Sequence, residues 1–360
     1  MPFPLFGLIR ALALAAVALG AIAVGLGRLH PSQPLPRIAA SVDHVGLPSY
    51  TKQRLESSAD YLDLRAGDVR QFDLPPGDSL ENQSFSPWRD ANGQSQVVGR
   101  WGQRGGSASE NESGLGRYTF PDGEALDRIP TDFLPMGLPC WFPDRSARVL
   151  FAAGDGKLYR VDFEEQPRRD GTSEGPTPRA LTWAHPPEGC QEFDVRDPSW
   201  PTDPILAGGV LVSITNRVLI QGHQVQERPK LWWLRLNAAG TEIIASKRLT
   251  REGATPGPAE NRDERLPTFG RSTTGEPLLA FLTREHHDEP WGLRVAPIRV
   301  DPVDGSPRAS VLSAAVLAED CTLFPPTFST DGRWVVGLRN ANALTFQYRR
   351  FPIPNAHPGD

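Results

Sequence analysis

The densest group of side chains able to hold a metal or move a proton is His286-His287-Asp288-Glu289. A zinc site needs imidazole and carboxylate ligands that converge on one point. Adjacent residues of a strand point to opposite faces, so this run, lying between two strand-like stretches, reads as a hairpin loop. A second oxygen-rich run, Asp301-Pro302-Val303-Asp304-Gly305, lacks the spaced carboxylates and terminal glutamate of a calcium loop and reads as a turn. No GxSxG sequence marks a nucleophile, and Ser213 and Ser246 fall in strand-like runs where a hydroxyl is structural. The stretch Gly105 to Gly114 (GGSASENESG) is polar, with no strand leading it into a helix as a phosphate cradle requires. Within it, Asn111-Glu112-Ser113 fits the N-glycosylation sequon. No catalytic, metal-ligating or cofactor-binding residue is assigned from these patterns, and no cofactor is expected.

Three cysteines, Cys140, Cys190 and Cys321, allow at most one disulfide and leave one thiol over. Their spacing suits no zinc site. A bridge in an oxidising compartment and buried free thiols acting as small hydrophobes are both open.

The elements that would position any such group are short. Glycine (34) and proline (36) fill about a fifth of the 360 positions, which excludes long helical bundles because proline deletes a backbone donor and clashes with the preceding helical turn. A hydrophobic share of 39%, with nine Trp and sixteen Phe, is enough to fill a core and excludes wholesale disorder. The net charge of -5 and the scattered arginines exclude a nucleic-acid partner that needs a basic surface.

Ala11 to Gly27 is an uninterrupted apolar run preceded by Arg10 and followed by Arg28 and His30. It predicts one N-terminal apolar helix within residues 1–30, acting as a signal anchor or as a signal peptide cleaved near Ala21-Ile22-Ala23. A Pro-rich linker follows over 31–41, the folded domain over 42–354 and a tail over 355–360. The chain is therefore expected to be exported. It would be membrane-anchored by residues 5–27, or periplasmic or extracellular if the segment is cleaved.

Aromatic-plus-turn signatures recur along the domain. Phe328-Ser329-Thr330-Asp331-Gly332-Arg333-Trp334-Val335-Val336 reads as strand, Asp-Gly turn and apolar strand. Related outlines begin at Pro267-Thr268-Phe269, Pro198-Ser199-Trp200, Cys140-Trp141-Phe142 and Ser84-Phe85-Ser86, and their anchor aromatics are 57, 58, 69 and 59 residues apart. Each is followed by an alternating hairpin, such as Gly156 to Phe163 or Lys230 to Leu236. Four short strands per unit cannot close a core alone, but units packed face to face around an axis can. The expected fold is an all-β propeller of four-stranded blades, six in number with five as the alternative. The hairpin at Tyr61-Leu62-Asp63-Leu64 and Val69 to Leu74 would either belong to a sixth blade or close the ring on the blade begun at Phe328. Trp232 and Trp233 would place one ring on each face of their strand, one packed between blades and the other exposed, where a sugar platform is the alternative to the favoured blade packing.

The Phe328 element resembles the FSPDGRWIAF element of the WD40-like repeats in TolB-type propellers, and Gly156-Lys157-Leu158-Tyr159-Arg160-Val161-Asp162 is similar to a later strand of that repeat. The resemblance is to the repeat and implies an exported interaction platform. The expected function is thus a membrane-tethered, non-enzymatic propeller binding an unknown protein or envelope component through loop faces where Glu164 to Thr182 and Gln221 to Arg228 would cluster. The alternative is an exported hydrolase or lyase with its site in the central channel, built from carboxylates such as Asp144, Asp194 or Asp331. Asp144 and Asp331 sit at turn positions, where Asp also satisfies local backbone donors.

Overall fold

The computed structural model describes residues 61, 62, 74 and most of 78–354. Outside the described residues lie 1–60, 63–73, 75–77, 90–93, 104–111, 121, 132–134, 145, 165–175, 202–205, 207–208, 221–222, 251–261, 302–304, 310–313, 330, 343–344 and 355–360. The expected targeting helix, linker and tail fall there, as do most of the early hairpin and Asn111. No helix of the described residues is long and apolar enough to cross a membrane.

The described chain is all β. After β1 (Tyr61–Leu62) comes a first four-stranded antiparallel unit, β2 (Asp78–Arg89), β3 (Ser95–Gln103), β4 (Glu112–Phe120) and β5 (Ala125–Pro130). The second is β6 (Pro135–Trp141), β7 (Arg148–Ala153), β8 (Leu158–Asp162) and β9 (Arg179–Ala180). In the third, β10 (Thr182–Trp183) runs parallel to the outermost strand of an antiparallel set, β11 (Glu192–Ser199), β12 (Gly209–Ile220), β14 (Lys230–Leu236) and β15 (Glu242–Arg248). Here β13 (His223–Gln226) extends the β12 hairpin. The fourth is β16 (Asp263–Arg271), β17 (Pro277–Arg284), β18 (Trp291–Val300) and β20 (Ala315–Cys321), with β19 (Pro307–Ala309) on β18. The fifth is β21 (Thr327–Phe328), β22 (Trp334–Asn342) and β23 (Thr345–Pro352), and its fourth strand is β1, which pairs Tyr61 with Arg349 and Leu62 with Tyr348. A single pair, Cys321 opposite Arg339, joins the fourth and fifth units into one continuous sheet.

The apolar runs explain the stacking. In β7, Leu150 and Ala152 pack against the third unit, with Val195, Val212 and Trp232, while Val149, Phe151 and Ala153 pack against the first, with Val98 and Leu115. In β17, Leu279 and Phe281 face the third unit beside Leu211 and Trp233, and Leu278, Ala280 and Leu282 face the fifth beside Val335 and Phe351. A strand apolar on both faces is what a sheet sandwiched between two others requires. Trp232 and Trp233 lie on opposite faces of their strand as expected, but neither ring is left exposed: both are buried, in successive interfaces. The first strands also touch in order, β2 against β6, β6 against β11, β11 against β16 and β16 against β21. This is a propeller-like succession of five units among the described residues, each packed against the next.

The turns match the signatures. Asp331 Oδ1 accepts the backbone N–H of Arg333 at 3.1 Å and the hydroxyl of Ser329 at 2.6 Å, and Gly332 adopts φ 69°. The three cysteines are free thiols, Cys140 and Cys321 buried and Cys190 half-buried.

Candidate functional site

Every well-described first strand is broken at the same point. In β2 the register steps between Glu81 and Ser84, in β6 between Met136 and Cys140, in β11 between Arg196 and Ser199, and in β16 between Arg265 and Thr268. These are β-bulges, which re-aim side chains where they occur. Pro139, Pro198 and Pro267 lie inside three of them. A bulge is where a strand tolerates proline, because the residue there donates nothing to the ladder. The first residue of each of these bulges is left-handed: Gly137 (φ 71°), two residues before its proline, and Asp197 (φ 54°) and Leu266 (φ 55°), directly before theirs. For an L-residue that conformation costs on the order of 1–2 kcal/mol, so Asp197 and Leu266 are held against their preference.

What holds Asp197 is visible. Its Oδ2 accepts the Ser213 hydroxyl at 2.8 Å, the Leu266 N–H at 3.3 Å and Arg265 Nε, and its Oδ1 accepts Arg265 Nη2 at 2.9 Å. The Asp197 side chain is only 3% exposed. Burial alone would lower the Arg265 pKa, but its hydrogen bonds to Asp197 raise it above the ordinary arginine value. The strained aspartate of the third unit is thus clamped by the first strand of the fourth. Its Oδ1 lies 3.6 Å from where a Cβ on Gly137 of the second unit would stand, so three units converge here.

Two further acids precede the bulges by the same spacing. Asp194, two residues before Arg196, accepts Arg217 Nε at 3.1 Å and Arg217 Nη2 at 2.6 Å, and this contact raises the Arg217 pKa. A turn of the second unit closes over it: Gly156 has φ 81°, and a Cβ there would fall 1.9 Å from Asp194 Oδ1. Asp263, two residues before Arg265, is gripped by Arg284 Nε at 2.8 Å and Arg228 Nη1 at 3.2 Å, with His287 Nδ1 at 3.4 Å. Next to it, fully buried Glu264 accepts the Leu231 N–H at 3.2 Å and the Thr250 hydroxyl, with Lys230 Nζ at 3.5 Å. Burial raises its pKa against the opposing pull of Lys230, Thr250 and Leu231. Glu264 is a tie between the third and fourth units.

The residues singled out from the sequence do not assemble. Asp144 is a turn cap bound to Ser146 and Arg148, and Asp331 caps the fifth unit's turn. Only Asp194 lies on a first strand. In the His286 to Glu289 run, Glu289 caps the loop through the His286 N–H at 3.1 Å, and only His287 reaches a buried group, Asp263. The Asp301 carbonyl accepts the Gly305 N–H at 2.9 Å and the Asp301 carboxylate pairs with Arg308, while residues 302–304 lie outside the described residues. Sequence reading passed over Asp197 and Arg265. A signal was there: extended four residues upstream of its proline, the repeat reads Asp194-Val195-Arg196-Asp197-Pro198-Ser199-Trp200 in one unit and Asp263-Glu264-Arg265-Leu266-Pro267-Thr268-Phe269 in the next.

No family model matches the chain, and no curated protein does. Solved structures do. TolB from Acinetobacter baumannii is 14% identical over 72% of this chain, with a TM-score of 0.36, and this chain spans about half of it (52%). The endo-arabinase of Bacteroides thetaiotaomicron VPI-5482 is 13% identical over 79% of this chain and 97% of its own, with a TM-score of 0.44. A thermostable family-43 glycoside hydrolase is 10% identical over 78% and 92%, with a TM-score of 0.41. The TolB-type resemblance therefore stands at the level of the repeat. The expectation of a non-enzymatic binding platform is corrected: the similar structures include glycoside hydrolases, and a propeller-like fold is no ground for setting the enzymatic reading aside.

Proposed function

We propose that this chain is an exported hydrolase acting where the first strands of its units meet, with Asp197 as the residue that fixes that junction. The observation that carries the reading is Asp197 itself, a buried, non-glycine residue in a left-handed conformation, fixed by donors from two units. Strain of this kind persists only where the surroundings over-determine it, and it clusters at active sites. Glycoside cleavage develops positive charge at a sugar carbon and is assisted by carboxylates; Asp197, closed off by Arg265, would hold the strands that carry the site rather than touch the sugar. Glycans are accordingly the substrates to try first. Five blades fit this reading, with the β1–β23 pairing in support of a ring closed by the two ends of the domain. Export rests on the apolar run 11–27, as an anchor or a cleaved signal.

The test is release of reducing sugar from arabinan, xylan and mannan by the full chain, compared with Asp197→Asn at a temperature where near-ultraviolet circular dichroism shows both folded. The expected result is turnover on at least one glycan, reduced at least a hundredfold by the substitution. No product from any glycan, or a folded variant at full rate, would overturn the assignment.

A further inference from the structure

At the start of β16, Asp263 stands two residues, about 7 Å at the usual strand rise, before the Arg265 that clamps Asp197. It marks the seam between two units, because Arg228 of the third and Arg284 of the fourth both grip it. His287 reaches it as well, from the exposed turn 285–290 that leads from β17 into β18. The imidazole is 74% exposed, yet its orientation is fixed. Arg284 lies over the Trp291 ring, 4.4 Å from its centre, and from there donates to the His287 carbonyl at 2.8 Å and to His287 Nδ1 at 3.0 Å. Glu289 closes the turn twice, its side chain accepting the His286 N–H and its own N–H donating to the His286 carbonyl, each at 3.1 Å.

Arginine has donors and no acceptor. Nδ1 therefore offers its lone pair to Arg284, and the Asp263 carboxylate, at 3.4 Å, is the more distant of its two neighbours. The neutral ring then carries its hydrogen on Nε2, the nitrogen turned away from both, since the hydrogen bond at one ring nitrogen sets what the other can do. Holding an exposed side chain in one orientation costs conformational entropy. Fixing a donor in advance is how a polar site lowers the cost of orienting a ligand.

We propose that His287 is a substrate-contacting residue, its Nε2–H donating to a hydroxyl or ring oxygen of a glycan held where the first strands meet. The assignment rests on the hydrolase reading for its substrate. It asks no proton transfer of the ring, which binds and orients the sugar while its N–H bond stays intact. The same tautomer withholds the Nε2 lone pair that a metal ion would need, so the His286 to Glu289 run supplies a donor in place of a ligand set.

Two-bond proton–nitrogen correlation spectra of the full chain, labelled with nitrogen-15 in its histidines, should show one ring at neutral pH locked with its hydrogen on Nε2, and its signals should vanish in His287→Phe. A ring locked with its hydrogen on Nδ1, or a mixture of the two forms, overturns the assignment. On a glycan that the chain turns over, His287→Phe should raise KM at least tenfold with kcat within twofold and the unfolding temperature unchanged, and His287→Gln, whose amide also donates, should recover most of the loss. Unchanged KM in His287→Phe overturns this inference and leaves the hydrolase reading standing. A chain that turns over no glycan sinks the hydrolase reading instead, and His287 is then judged by retardation in gels containing arabinan, xylan or mannan. Retardation of the parent that is lost in His287→Phe supports the donor; no retardation of the parent, or equal retardation of the variant, overturns it.

Discussion

Replacing Arg265 by methionine keeps the length of the side chain and removes both donors to Asp197. The Asp197 side chain is 3% exposed, so the substitution leaves a carboxylate out of water with only the Ser213 hydroxyl and the Leu266 N–H against it. Removing one partner of a buried ion pair costs about 3–5 kcal/mol. With a urea dependence of about 3 kcal/mol/M for a domain of this size, the midpoint should fall by about 1–2 M. Urea unfolding followed by fluorescence of the nine tryptophans reads this directly. The second arm is Arg265→Met combined with Asp197→Asn, an amide that tolerates the left-handed backbone and carries no charge. If the cost comes from a stranded charge, the double variant must be more stable than Arg265→Met alone. A single variant within about 1 kcal/mol of the parent, or a double variant that simply adds two losses, would refute the reasoning.

Two other outcomes follow from the titrating groups. Burial, aided by the negative charge of Glu227, pushes the Cys190 thiol up to about 11, and burial pushes Cys321 to about 12 and Cys140 higher still. Iodoacetamide on the native protein at pH 8 should therefore modify Cys190 first and slowly, accelerating about tenfold per pH unit, and intact mass without reductant should show no bridge; fast labelling of Cys140 would contradict the packing. For Glu264, a folded pKa above the ordinary 4.5 means that the folded state holds the proton more tightly. Its contribution to stability is full below about 4.5 and is lost as pH rises through the folded value. Relative to the parent, Glu264→Gln should gain stability from pH 4 to 7, and parallel pH profiles would show that burial does not penalise this charge.

Much of the architecture could be read from spacing. Phe142 with Asp144 and Phe328 with Asp331 marked unit starts because a tight turn needs particular side chains at particular places, and those needs are local. The two-faced apolar strands, Val149 to Ala153 and Leu278 to Leu282, likewise announce burial on both sides. The site was less legible. Asp197-Pro198 looks like any turn, and only the register with β12 shows a bulge. The Arg265–Asp197 pair joins residues 68 apart, a contact that exists only once two units are stacked. The closing strand was legible only as one of two readings, because Tyr61–Leu62 is two residues long and its partner lies at the far end of the chain.

That last pairing sets an order of events during synthesis. The first four units can assemble as their residues emerge, each on the one before. The fifth cannot, since its outer strand waits from the start while its inner strands are made last. Until Thr345–Pro352 leaves the ribosome, β1 has nothing to pair with. Trimming either end of the domain should therefore loosen the same sheet, and a protease that removes residues 61–62 should expose the edge of β23 as surely as one that cuts near Pro352.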